Sequence, residues 1–173
     1  MFPLRRFIVL FVSGTLAFAA DLASARDLVD HKSGMVFPGR IGLFQREDGI
    51  KYDAGGYPMA KYWAGALILL DVFFYKDNPF ELEYANCRDY VKVAHPRARL
   101  LSDGPSNLHP NGRRARFTFA DRFGGGSKVK LQSELIMFPT RDRYVKFRIT
   151  YPFSHANRAE EEIDSFIRAF AFP

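Results

Sequence analysis

The sequence predicts an α+β domain: a mainly antiparallel sheet of about six strands, ordered β-β-β-α-β-β-β-α, with two helices packed against it. Three observations carry this expectation. Ala66 to Tyr75 (ALILLDVFFY) is an almost continuous apolar run, as in a strand covered on both faces. Arg113–Ala120, Lys128–Phe138 and Tyr144–Tyr151 alternate polar with apolar residues and are separated by turn-length gaps, the pattern of consecutive antiparallel strands. Phe80, Tyr84, Cys87, Val91 and Ala94 recur at spacings of four and three, which places them on one stripe of a helix.

In chain order, Arg26 to Phe37 is short, polar and extended. Ile41 to Arg46 reads as a first strand, ended by the turn Glu47-Asp48-Gly49. Ile50-Lys51-Tyr52 and Tyr57 to Trp63 form a second, interrupted by Gly55 and Gly56 as a loop or bulge. The third is the apolar run itself. Asp77-Asn78-Pro79 starts the first helix, with Asn78 as cap and Pro79 at the first helical position. That helix stops before His95-Pro96, and Arg97 to Asn111 reads as loop. After the three alternating strands, a second helix runs from about His155 to Phe170, capped by Asn157 or Ser154. Ile163, Phe166, Ile167 and Phe170 lie on one of its faces, and Glu160 to Glu162 sit near its positive end.

The N-terminus carries a destination. Arg5 and Arg6 precede an apolar stretch from Phe7, and Ala23-Ser24-Ala25 is a small-x-small cleavage pattern. A cleaved signal peptide over residues 1–25 is expected, leaving a single globular domain from 26 to 173 in the periplasm or secreted. The strongly apolar part is shorter than a membrane span requires, so the mature chain is not expected to span a membrane. Arg5-Arg6-Phe7-Ile8-Val9 loosely fits the twin-arginine export pattern, which stays open beside the general secretory route. The one cysteine, Cys87, is not at the cleavage site, so no lipid anchor is expected, and no internal disulfide can form. The formal charge of +6 favours anionic partners without demanding them, and export argues against nucleic acid.

Phe37-Pro38-Gly39-Arg40-Ile41-Gly42-Leu43-Phe44-Gln45-Arg46, the strand ALILLDVFFY with its capped helix, and Phe147-Arg148-Ile149-Thr150 before the closing helix together resemble an established arrangement. They are similar to bacterial exported proteins of unknown function with a PsbP-like fold, a fold also used by the photosystem II extrinsic protein and by a nuclear import accessory factor. The resemblance covers most of residues 37–172. It implies a binding or assembly accessory more than an enzyme.

Two candidate surfaces follow from the residues themselves. Arg114, Arg116, Lys128, Lys130, Lys146 and Arg148 occupy the polar positions of three alternating strands. If the apolar sets share one face, these six cations share the other, around Glu134 opposite Arg148. Such a face would serve an anionic envelope component or an unidentified protein partner, although an ordinary solvated sheet face shows the same alternation. The aromatics Tyr52, Tyr57, Tyr62 and Trp63 surround the Gly-Gly-Tyr-Pro loop and either grip a ligand or cap the core.

Catalytic signatures are weak. His31, His95, His109 and His155 lack the short spacing of a metal half-site, and no Gly-x-Ser-x-Gly elbow occurs. Gly124 to Lys128 lacks the spacing and following helix of a phosphate loop. Cys87, on the apolar stripe of its helix, is expected buried and inert. No catalytic residue, metal or cofactor is assigned. The expected function is an exported accessory or binding module of the cell envelope, with a periplasmic enzyme built from distant residues, such as a hydrolase, as the alternative.

Overall fold

The computed structural model of the chain describes residues 26–76, 78–141 and 143–170. The expected signal peptide lies outside them, and so does Asp77. β1 (Leu28–Val29) and β2 (Val36–Phe37) form a small separate hairpin within the segment expected to be merely extended. The expected first strand is folded in two, as β3 (Arg40–Ile41) and β4 (Phe44–Arg46). Gly42, with φ of 56°, reverses the chain between them, a conformation that favours glycine. β5 (Lys51–Tyr52) turns through the Gly55-Gly56 loop to pair with the start of β6 (Pro58–Ala64). β7 (Ile68–Tyr75) is the apolar run.

α1 (Phe80–Ala94) follows, without a side-chain cap. Asn78 does not accept from the helix N-terminus as expected; its amide donates to Glu83 instead. Then come β8 (Arg99–Pro105), β9 (Arg113–Arg122), β10 (Lys128–Pro139) and β11 (Tyr144–Pro152). A single 3-10 turn (Phe153–His155) leads into α2 (Ala156–Ala169), which likewise has no side-chain cap.

Nine strands make one antiparallel sheet in the order β3-β4-β6-β7-β11-β10-β9-β8, with β5 beside β6. The expected count of about six is therefore too low. The excess comes from the split strands and from β8, which the sequence presents as loop. β8 lies at the sheet edge with nearly every residue exposed, so no alternation of burial marks it.

The two helices cover opposite faces of the sheet. Beneath α2 lies the larger core, in which Phe44, Tyr62, Leu70, Val72, Phe138 and Phe147 meet Ile163, Phe166 and Phe170. Beneath α1 lies a smaller one, in which Ala115, Phe117, Leu135, Met137 and Tyr144 meet Tyr84. Because each face carries a core of its own, the apolar sets of neighbouring strands need not agree. Those of β9 (Ala115, Phe117) point to α1, and those of β11 (Val145, Phe147, Ile149) point to α2. The register shows the flip, with Leu135 opposite both Ala115 and Arg148, and Glu134 opposite both Arg116 and Ile149.

On the α2 side, Glu134 is fully buried. Its Oε2 accepts from Arg114 Nε at 2.7 Å and from Arg116 Nε at 3.4 Å, and its Oε1 accepts from the Tyr151 hydroxyl. Arg114 extends to Asp164 of α2 at 3.0 Å, and Arg116 to Glu160 of α2. These bonds tie the helix to the sheet alongside its apolar stripe. Glu134→Ala would leave the nearly buried Arg114 without its nearest anion, at a cost of about 3–5 kcal/mol measured by urea unfolding.

On the other side, Asp103 of β8 accepts from Tyr84 (2.6 Å) and Arg88 (3.0 Å) of α1, with Arg113 of β9 at 3.4 Å. Burial alone pushes this carboxyl up. The hydrogen bonds from Tyr84, Arg88 and Arg113 outweigh that and hold it below its ordinary value of 3.8. Its contribution is therefore complete above that value and is lost as the pH falls through the lower folded value. Asp103→Asn should lower stability by about 1–3 kcal/mol at pH 7. In acid unfolding curves the gap between variant and parent should close below about pH 4.

Candidate functional site

A groove of about 460 Å³ separates the outer half of α1 from the sheet. Its floor is laid by period-2 side chains of three adjacent strands. These are Leu69 and Asp71 from β7, Lys146, Arg148 and Thr150 from β11, and Ser133 and Leu135 from β10. Its wall is the inward edge of α1, with Cys87, Tyr90, Val91 and Ala94. The groove stays open because α1 is seated mainly by its first half. Tyr84 is its one buried residue, while Tyr90 and Val93 are exposed. At the helix end, the His95 ring stacks on Phe119 at 3.9 Å.

The floor is polar at its centre. Asp71 and Arg148 face each other directly across β7 and β11. Asp71 Oδ2 accepts from Arg148 Nη2 at 2.8 Å and Nε at 3.2 Å. The carboxylate is 2% exposed and its Oδ1 has no hydrogen-bond partner among the described residues, whereas the Arg148 side chain is 53% exposed. Lys61, opposite Asp71 on β6, turns to Glu47 at 3.6 Å.

Two residues from Arg148, Lys146 lies over the rings of Phe73 (4.3 Å) and Tyr75 (4.5 Å) and donates to the Tyr75 hydroxyl at 2.9 Å. Burial pushes its ammonium below the usual lysine value. Cys87 Sγ is 3.7 Å from Lys146 Nζ and 3.4 Å from Glu83. The thiol is half-buried, lining the groove, and not sunk in the core as its helical position suggested. Burial still raises its pKa to about 11 against the opposing pull of Lys146.

The six cations expected on one basic face are divided. Arg114 and Arg116 are covered by α2 and paired with Glu134, Asp164 and Glu160. Lys128 and Lys130 share that face at the far end of the β9–β10 hairpin, where both are exposed and Lys130 sits over the Phe153 ring at 3.7 Å. Lys146 and Arg148 lie on the opposite face, in the groove. Arg148 stands opposite Leu135 and pairs with Asp71, not with Glu134 as expected. The cause is the sheet's two cores: alternation fixes which residues of a strand share a side, but not which side their neighbours choose.

The four aromatics also separate. Tyr62 is fully buried against Phe166 and Phe170, with its hydroxyl on Pro38 O. Trp63, on the other face, donates to Glu47. Tyr57 packs on Tyr75 at 5.3 Å, and Tyr52 is half-exposed, bonded to Asp30. They form no common surface. Among the described residues, no three of His, Cys, Asp and Glu come together as metal ligands, and no helix is long and apolar enough to cross a membrane.

Sequence reasoning missed Asp71. The signal was there, since it is a lone carboxylate inside the most apolar run of the chain, where a buried charge requires a partner.

With a pKa near 11, the Cys87 thiolate at pH 8 is on the order of one part in a thousand. Alkylation by iodoacetamide at pH 8 should run on the order of 100-fold slower than for free cysteine. Lys146→Met, which removes the opposing cation, should move the midpoint of the alkylation pH profile higher still.

No family model matches the chain, and no curated protein does. Among solved structures it is similar to cyanobacterial PsbP (CyanoP) from Synechocystis sp. PCC 6803, determined in solution. The two share 13% identity with a TM-score of 0.54, over 87% of this chain and 94% of that one. Similarity at that identity is similarity of fold: the chain has a PsbP-like α+β architecture.

Proposed function

We propose that this chain is an exported accessory or binding module of the bacterial cell envelope that works through the groove between α1 and the sheet. Asp71 carries the reading. A buried carboxylate oxygen without a donor costs about 1–3 kcal/mol, and the residue that carries this one lines a groove of the size that small molecules occupy. An arrangement that is unfavourable for the free protein is satisfied when a ligand supplies the missing donor. The signal-peptide pattern of residues 1–25 supports the extracytoplasmic address.

The enzymatic alternative has one observation in its favour, the lowered pKa of Lys146, which suits an amine nucleophile. Against it, the neighbouring Cys87 thiol is held protonated.

Two measurements test the proposal. The protein recovered from the periplasmic fraction should begin at Arg26; a cytoplasmic protein with its first 25 residues intact overturns the address. A small-molecule extract of the envelope should raise the thermal midpoint by several degrees, as saturating ligand does. Ala94→Trp, at an exposed helix position bordering the groove, should abolish that shift. An equal shift in both proteins, or none in either, overturns the groove.

A further inference from the structure

Resting on the groove as the working site, we infer that its ligand is an amphipathic zwitterion: an apolar body whose head carries a primary ammonium beside an anionic group. The argument starts from the unfinished ion pair. Arg148 gives Nε and Nη2 to a single oxygen of Asp71. That leaves Oδ1 of the same carboxylate without a donor among the described residues, beside a guanidinium whose side chain is half-exposed. An unanswered acceptor and a half-exposed cation thus lie on directly opposed residues of two paired strands. Their complement is a donor and an acceptor side by side, of opposite charge to each.

Simpler ligands fit less well. A bare anion would meet Arg148 and Lys146 but bring negative charge against Asp71 and leave Oδ1 unpaired. A bare cation would satisfy Oδ1 but face two cations. A quaternary ammonium has no N–H to give. Lys146, two residues along the same face of β11, puts a second positive charge on the side where the anionic group would lie. Around this polar centre, Leu69, Leu135, Val91 and Tyr90 offer an apolar enclosure, which is where the rest of the molecule packs. Two sources share this chemistry: a free apolar amino acid, and a phosphoethanolamine headgroup with short acyl chains.

The test follows the methyl resonances of Leu69, Val91 and Leu135 in the purified protein. One series titrates L-leucine, N-acetyl-L-leucine and 3-methylbutylamine. The other titrates dihexanoylphosphatidylethanolamine and dihexanoylphosphatidylcholine below their micellar concentrations. L-leucine, the ethanolamine lipid or both should shift these methyls saturably. N-acetyl-leucine, the amine and the choline lipid should bind at least about tenfold more weakly, the worth of a charged hydrogen bond. Which of the two positive probes binds identifies the source.

Asp71→Asn should weaken binding by at least about tenfold. If that variant fails to fold, Ala94→Trp, which leaves the ion pair intact, should abolish binding. Equal binding of the choline and ethanolamine lipids, or of leucine and its acetylated form, overturns the inference. So does the absence of any shift at millimolar probe. If no zwitterion binds while envelope extract still stabilises the parent and not Ala94→Trp, the ligand class is wrong and the groove stands. If neither has an effect, both fail.

Discussion

The pairing of β7 with β11, from Leu69–Thr150 to Tyr75–Tyr144, joins the N-terminal half of the sheet to the C-terminal half. β3 to β6 reach the rest of the sheet only through β7, and β8 to β10 only through β11. Both strands send side chains to both sides of the sheet. On one, Leu70, Val72, Phe147 and Ile149 enter the larger core. On the other, Phe73, Asp71, Lys146 and Arg148 face the groove and α1. The register that packs the first set brings Asp71 and Arg148 together in the second, because a one-residue slip would move every one of these side chains to the wrong face. Core and site are therefore specified by the same hydrogen-bonded ladder.

Charged residues on the two faces have different fates. Under α2, Arg114 and Arg116 are closed off by Glu134, Glu160 and Asp164, with Gln132 and Tyr151 hydrogen-bonded within the same cluster. Most of its polar atoms are satisfied, and its physical result is to orient a helix. Under α1, Asp71 and Arg148 are satisfied on one side only, at the bottom of an opening. Burying charge is tolerable where the partners are complete. Incompleteness beside an accessible space is what distinguishes the second cluster from the first.

The uneven seating of α1 produces that space. Its early turns are anchored by Tyr84 in the smaller core and by Tyr84 and Arg88 on Asp103. Its later turns carry Tyr90 and Val93 to solvent. A helix packed tightly along its whole length would have covered Arg148, which is half-exposed, and left no groove.

Much of the architecture was legible in the residues. The apolar run of β7, the alternation of β9 to β11 and the helical spacings of Tyr84 and Phe166 each state a local period, and local periods survive folding because they reflect which side of an element is buried. The signal pattern and the lone cysteine likewise stand in the sequence alone. Strand β8 was illegible because an exposed edge has no burial to record. The basic face was misread for a deeper reason: alternation tells which residues of one strand share a side, whereas the side itself is chosen by what packs on the sheet. Only the tertiary structure could place Arg114 and Arg116 under α2, Lys146 and Arg148 under α1, and Asp71 against the guanidinium of Arg148, 77 residues later in the chain, that leaves half of its carboxylate unanswered. Sequence period determined the strands and their two sides; long-range register determined which charges meet.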